Sequence, residues 1–181
     1  MDQRSNKILT IMQPTFLPWI GYFKMIAISN NFVFLDDAQF EKQSWQSRNK
    51  ILINEKPNYI SLNIVKNHLN SRINEIKLNN PSFFLKKILK TFSQEYSKCL
   101  HYNDGKEIFD FILLNYSDSL CQTNIKIIQF ICKKLNLNNN FFLSSEMKIN
   151  LKRTDKLIKI CENFNTDIYL SPMGAKKYLL S

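Results

Sequence analysis

Two short apolar runs, Ile8 to Met12 and Phe32 to Leu35, flank a stretch with helical spacing, and this arrangement constrains the chain more than any other feature it has. A short run with no polar alternation is the pattern of a strand buried on both faces. Gln13-Pro14 ends the first run. Pro18 fits the first turn of a helix, where a missing N–H costs nothing, and Trp19, Ile20, Phe23, Ile26 and Ala27 recur at helical spacing after it. Ser29, Asn30 and Asn31 break that helix, and the second run ends at Asp36-Asp37. A crossover of this kind normally joins parallel strands. Gln13, the helix start at Pro18 and the Asp36-Asp37 pair are then expected at one edge of a sheet.

Open α/β sheets bind ligands at that edge, and the positive end of a crossover helix favours an anionic group there. The following loop supplies Gln39, Lys42, Trp45, Arg48 and Asn49. These are hydrogen-bond donors, a flat apolar surface and a guanidinium able to grip phosphate or carboxylate with two bonds. The plainer alternative is that the aspartates cap a turn and Arg48 is a solvated surface residue. On the functional alternative, Asp36 or Asp37 is the catalytic acid–base group. Gln13, Gln39, Lys42, Trp45, Arg48 and Asn49 then hold substrate. Neighbouring carboxylates on a strand end point to opposite faces, so one of the two aspartates is expected to be structural.

The rest of the chain predicts an α/β fold with an N-terminal β-α-β unit on a mainly parallel sheet, a small β-hairpin insertion and a helix-rich middle and C-terminal half. Ile51 to Ile53, the turn Asn54-Glu55-Lys56-Pro57 and Tyr59 to Val65 predict the hairpin, and Ile73 to Leu78 a further strand. Asn80-Pro81 starts a helix with a Phe84, Ile88, Phe92 stripe. Ile108, Phe111, Ile112 and Tyr116 mark a second helix, and Ile125 to Leu135 a third with Thr123 as its N-cap. These stripes are core packing. The last third repeats the opening: a strand at Phe141 to Leu143, a helix from Thr154-Asp155, and a strand at Asp167 to Leu170 leading into Ser171-Pro172-Met173-Gly174 and a new helix. If that strand joins the same sheet, Ser171 and the backbone N–H groups near Gly174 reach the crevice of Gln13 and Asp36.

Composition narrows the function classes. The chain has 181 residues, 44% of them hydrophobic, with 14 Phe and 7 Tyr, which suffices for one well-buried domain. Only 3 Gly and 5 Pro argue against long linkers. No apolar run approaches the roughly 18 residues that span a bilayer, and MDQRSNK leads into a strand rather than a signal peptide, so a cytoplasmic location is expected. Peripheral contact with a membrane face stays open. The net charge of +10 is spread along the chain, singly or in pairs such as Lys86-Lys87, as on a solvated surface. No helix-turn-helix, zinc-finger or RNP-like pattern occurs, which argues against nucleic acid, whereas a positive field still draws a phosphate-bearing small molecule. Cys99, Cys121, Cys132 and Cys161 form no CxxC pair, and His68 and His101 stand apart, so no metal site is expected. Glycine-rich phosphate loops and a GxSxG elbow are absent, and no cofactor is expected.

Three segments, IMQPTFLPWIGYFKMI, FVFLDDAQFEKQSWQSRNKI and DIYLSPMGAKKYL, resemble in order the three signature blocks of the WbqC-like family. Those are bacterial proteins associated with O-antigen and other surface-polysaccharide gene clusters. The family's QP pair falls on Gln13 and Pro14. Its proline-aromatic-x-Gly-aromatic-aromatic segment falls on Pro18, Trp19, Gly21, Tyr22 and Phe23, which adds Trp19 and Tyr22 to the substrate-binding candidates. Its acidic pair falls on Asp36 and Asp37, its Gln-Phe-x-Lys on Gln39, Phe40 and Lys42, and its Arg-Asn on Arg48 and Asn49. Many relatives carry a histidine where this chain has Met12, and Asn where it has Ser47. Relatives also continue well past the Gly174 to Tyr178 region. The resemblance therefore implies a single domain over residues 1–181 that is shortened at its C-terminus, as a natural short form, a fragment or a truncated reading frame.

The resemblance implies a role in polysaccharide biosynthesis, as a transferase acting on an amino sugar or on a nucleotide-linked or lipid-linked sugar, by acyl or aminoacyl transfer. A non-catalytic sugar-nucleotide-binding module and a basic adaptor protein are the alternatives. Donor, acceptor and oligomeric state stay open.

Overall fold

The computed structural model describes residues 6–65 and 70–172. Along the chain run strand β1 (Ile8–Met12), helix α1 (Ile20–Ile28), strand β2 (Asn31–Phe34) and the strands β3 (Arg48–Ile53) and β4 (Lys56–Ser61). Helices α2 (Pro81–Tyr96), α3 (Tyr102–Asn115) and α4 (Leu120–Lys134) follow, then strand β5 (Asn140–Leu143), helix α5 (Arg153–Asn163) and strand β6 (Ile168–Leu170). The fold is α/β, as the strand spacing predicts. It divides into two compact units. The first holds residues up to Gln13, Trp19–Asp37 and the chain from Asn136 onward, and the second holds Pro14–Pro18 and Ala38–Leu135.

The first unit is a four-stranded sheet in the order β5-β2-β1-β6, with every neighbouring pair parallel. Counting only this unit's strands the order is 3-2-1-4, which makes β1 the point where the winding reverses. The β pleat sends alternate side chains to opposite faces, and the two faces carry different helices. On one face Tyr22 of α1 packs its ring 5.4 Å from Phe32, and the Thr10 and Ser29 hydroxyls meet at 2.6 Å. On the other face Leu9, Ile11 and Val33 gather Leu157, Ile160 and Cys161 of α5 and Phe164 just past its end. Phe32, Val33 and Phe34 are completely buried, each contributing about 1.5–3 kcal/mol of hydrophobic stabilisation. The Asn139 side chain donates to the carbonyls of Ile26 and Ser29, both at 2.6 Å, which occupies acceptors at the end of α1 and leads the chain into β5.

The second unit is a hairpin with three helices. Asn54 and Glu55 have φ of 50° and 61°, the two left-handed positions of a tight two-residue hairpin turn. Lys56 and Pro57, expected in the turn, therefore belong to β4. Ile60, Leu85, Ile88, Phe109, Ile112 and Ile127 are the heart of this unit's core. Two expectations are corrected. Ile73 to Leu78 is not a strand: a short 3-10 turn runs over Ile73–Glu75, closed by the Glu75 side chain accepting from the Arg72 N–H at 2.8 Å. Apolar residues at Ile73, Ile76 and Leu78 are buried from irregular backbone, and apolar spacing alone does not separate that case from an edge strand. The N-cap of α4 is Ser119, whose hydroxyl accepts from the Gln122 N–H at 3.3 Å, whereas Thr123 lies inside the helix and bonds Ser117.

Helix α1 begins at Ile20 rather than in the turn of Pro18, because Trp19 is still extended and supplies the first helical carbonyl to the Tyr22 N–H. Cys121 and Cys132 are buried and Cys161 half-buried, while Cys99 is exposed. Burial pushes the Cys132 thiol up to about 11. Among the described residues no helix is long and apolar enough to cross a membrane. His68 and the segment from Met173 onward, including Gly174 and the expected final helix, lie outside the described residues.

Candidate functional site at the carboxyl edge of the parallel sheet

The sheet register aligns the polar strand ends of the first unit. Met12 pairs with Phe34 and Phe34 with Leu143, and the Leu35 N–H donates to the Met12 carbonyl at 2.8 Å. Gln13, the Asp36-Asp37 pair and Ser144-Ser145 thus leave adjacent strands at the same edge. Thr10 pairs with Leu170, so Ser171 leaves β6 on the other side of β1. The winding reverses between β1 and β6, and in open α/β sheets the crevice outside the carboxyl ends at such a reversal is where ligands bind. Gln13 and Ser171 stand at the two strand ends that border it. Both are half-buried.

Asp36 and Asp37 do not point to opposite faces. The strand ends at Phe34, the chain turns, and both carboxylates face the same hydroxyl, that of Ser144. Asp36 is 3% exposed and is heavily bonded: Oδ1 accepts from the Ser144 hydroxyl at 3.1 Å and the Ser145 N–H at 3.0 Å, and Oδ2 from the Ser145 hydroxyl at 2.6 Å. These bonds tie the end of β2 to the 3-10 turn after β5. Asp37 accepts from Ser144 and forms an ion pair with Lys156, which extends from the first turn of α5. Burial alone would raise the Asp37 carboxyl. The hydrogen bonds from Lys156 and Ser144, with the lysine's charge, outweigh it and hold the carboxyl below its ordinary 3.8. Asp37 is therefore ionised at neutral pH and lies beside a cation.

Around Gln13 the backbone is held from α1. The Tyr22 hydroxyl donates to the Gln13 carbonyl at 3.1 Å, while the Tyr22 ring is fully buried between Phe23 and Phe32. Tyr22 fixes the strand end and offers no surface to a ligand. Trp19 is different, at 58% exposed. Its indole lies over Gly21, where a Cβ would overlap the ring atoms, so the glycine between the two aromatics is what allows this placement.

Gln39, Lys42, Trp45, Arg48 and Asn49 belong to the second unit. Asn49 is a tether: its side-chain N–H donates to the Phe16 carbonyl at 3.2 Å and to that of Leu17. Gln39 is exposed and contributes backbone, pairing with Arg72 and accepting at its carbonyl from the Gln46 side chain at 3.4 Å. Beneath the loop, fully buried Asn124 of α4 donates to the carbonyls of Pro14 at 3.2 Å and Gln46 at 2.8 Å. Lys42 and Trp45 are exposed, and the Arg48 guanidinium lies 4.0 Å from the Tyr59 ring centre.

Sequence reasoning passed over Ser144, Ser145 and Lys156. The serine pair could have been found, since it follows an apolar strand just as Asp36-Asp37 does. Lys156 carries no such mark among many lysines. Asn124 was visible as an amide on the apolar face of α4. Among the described residues no group of three or more His, Cys, Asp or Glu is placed to hold a metal ion.

The comparisons agree with the signature blocks. The WbqC-like protein family matches residues 13–181. The chain is also similar to the uncharacterized protein Rv1507c of Mycobacterium tuberculosis, 25% identical over 178 residues that cover 96% of this chain and 75% of that protein. No solved structure matches it.

Proposed function

Because the chain belongs to the WbqC-like protein family, we propose that it serves bacterial surface-polysaccharide assembly as a transferase modifying an amino sugar or nucleotide sugar, by acyl or aminoacyl transfer, at the carboxyl edge of its parallel sheet. One observation supports this most: an ionised carboxylate, Asp37, at that edge is held between the Lys156 ammonium and the Ser144 hydroxyl. Each carboxylate oxygen has two lone pairs, so Asp37 retains capacity for a substrate hydroxyl or ammonium. A carboxyl this acidic is a poor base toward a free alcohol. It takes the proton late, once the attacking oxygen or nitrogen has bonded to the acyl carbon and become strongly acidic. The donor's leaving group departs as the new ester or amide forms. Gln13 and Ser171 border the crevice and would orient the sugar, and Lys156 would meet its phosphate. The substrate is thus an anionic small molecule met on the cytoplasmic side, with membrane contact confined to the periphery.

A second reading is favoured by the completeness of the internal bonding. The Asp36 oxygens are already occupied, as in a scaffold that only presents a nucleotide sugar to another enzyme. Incubating the protein with nucleotide-linked amino sugars and acyl or aminoacyl donors, followed by mass spectrometry, separates the two. Transfer that falls roughly a hundredfold or more in Asp37→Asn supports the transferase. Binding with no product under any pairing favours the module.

A further inference from the structure

The hairpin of the second unit has two faces of opposite character. Asn49 pairs with Ile60 and Ile51 with Asn58, and Ile51 and Ile60 of that face belong to the core cluster. On the other face Arg48 pairs with Ser61, Lys50 with Tyr59 and Leu52 with Pro57, with no acidic residue among the six. Here Trp45 and Tyr59 remain 53% and 48% exposed, their ring centres 6.3 Å apart. Arg48 lies 4.0 Å and Lys50 5.0 Å from the centre of the Tyr59 ring.

We propose that this face is a nucleotide-binding platform, on which a base stacks against Trp45 and Tyr59 while Arg48 and Lys50 hold its phosphates. Exposed aromatic surface invites any flat apolar partner, and the charge selects among them. Two cations with no carboxylate on their face of the hairpin favour an anion. A guanidinium above a ring keeps its N–H donors in its own plane, where an arriving phosphate meets them. A neutral sugar would use the rings but leave both cations without a role. Two rings and two cations match one base and its phosphates. A nucleic-acid strand would need the pattern continued, base after base. The buried amides Gln46 and Asn124 and the half-buried Asn49 hold the loop and strand start from within the unit, so the platform is supported rather than loose. This assignment goes beyond the proposed function: it concerns the second unit's own surface and does not rest on the chemistry at the sheet edge.

The test is calorimetric titration of the wild-type chain with UDP, GDP, ADP and CDP, alongside a short single-stranded RNA. Binding of at least one nucleoside diphosphate is expected, weakened on the order of tenfold or more in Trp45→Ala and in Arg48→Gln, and retained in Asp37→Asn. Each variant's far-UV circular dichroism and Tm establish that it is folded. Tyr59→Phe should keep affinity where Tyr59→Ala loses it. In Trp19→Phe, which leaves Trp45 as the sole tryptophan, binding should quench the remaining fluorescence. No binding by any nucleotide, or unchanged binding in folded Trp45→Ala and Arg48→Gln, overturns the proposal. RNA binding a hundredfold tighter than any mononucleotide, and falling steeply with salt, overturns it in favour of a nucleic-acid surface. Transfer at the sheet edge is read separately by mass spectrometry, so a failed titration overturns the platform and leaves the sheet-edge reading untouched.

Discussion

Lys156, in the first turn of α5, closes an ion pair with Asp37, a residue more than a hundred positions earlier, and both side chains are only about a tenth exposed (12% and 10%). The sheet makes the meeting possible, because β2 and β5 are neighbours although most of the second unit, Ala38–Leu135, lies between them in sequence.

Removing the lysine leaves a carboxylate with little water and no cation. Lys156→Met should cost about 1.5–3 kcal/mol in urea unfolding at pH 7. The pH dependence has a definite sign. The folded Asp37 carboxyl lies below its ordinary value, so the native state binds fewer protons there than the unfolded chain does. Its stabilisation is full above the ordinary carboxylate range and is lost as the pH falls through the lowered folded value. The stability difference between the wild type and Asp37→Asn should therefore be constant from pH 6 to 8 and shrink below about pH 4. A difference that grows on acidification would contradict the pair.

Asp36 acts as a clasp between β2 and the turn after β5. Asp36→Ala strands two donors, the Ser145 hydroxyl and N–H, while the Ser144 hydroxyl keeps Asp37 as its acceptor, and it should destabilise by about 2–4 kcal/mol. Asp36→Asn keeps the shape but turns an amide N–H toward one of those donors, so it should recover only part of the loss. Chemical denaturation of both variants checks the order.

Gly21 exists for the Trp19 ring. Gly21→Ala places a methyl where the indole lies, and because Trp19 is mostly exposed the ring can swing away. The expected result is a change in tryptophan emission with a stability change under about 1 kcal/mol, since alanine also favours the helix. A large loss of stability with unchanged emission would show that the ring is pinned.

Asn124 is the buried anchor of the second unit's loops. Asn124→Leu leaves the Pro14 and Gln46 carbonyls without their donor and should cost about 2–4 kcal/mol. Its Oδ1 has no partner among the described residues, so removing that atom returns part of the cost. Hydrogen exchange should report faster opening at Phe16, whose N–H bonds the Trp45 carbonyl in the same loop system.

Local pattern carried far. The apolar runs at Ile8 and Phe32, the helical spacing after Pro18 and the polar residues after each strand correspond to β1, α1, β2 and the edge where Gln13, Asp36 and Ser171 emerge. Where it misled, two backbone states shared one pattern. Ile73, Ile76 and Leu78 bury themselves from a turn as well as from a strand. Tyr22 sits in a segment marked by the family blocks, yet its ring is core and only its hydroxyl reaches the site's backbone.

By itself the sequence determined the periodicities, and through them which segments are strands and helices and which residues lie at their ends. Only the tertiary structure decided which ends meet. It turned both aspartates onto one serine, brought Lys156 to Asp37, and set Arg48 over Tyr59. The physical reason is that hydrophobic periodicity acts over a few residues, whereas strand order and ion pairing are set by the packing of faces far apart along the chain, and nothing local in either partner records the other.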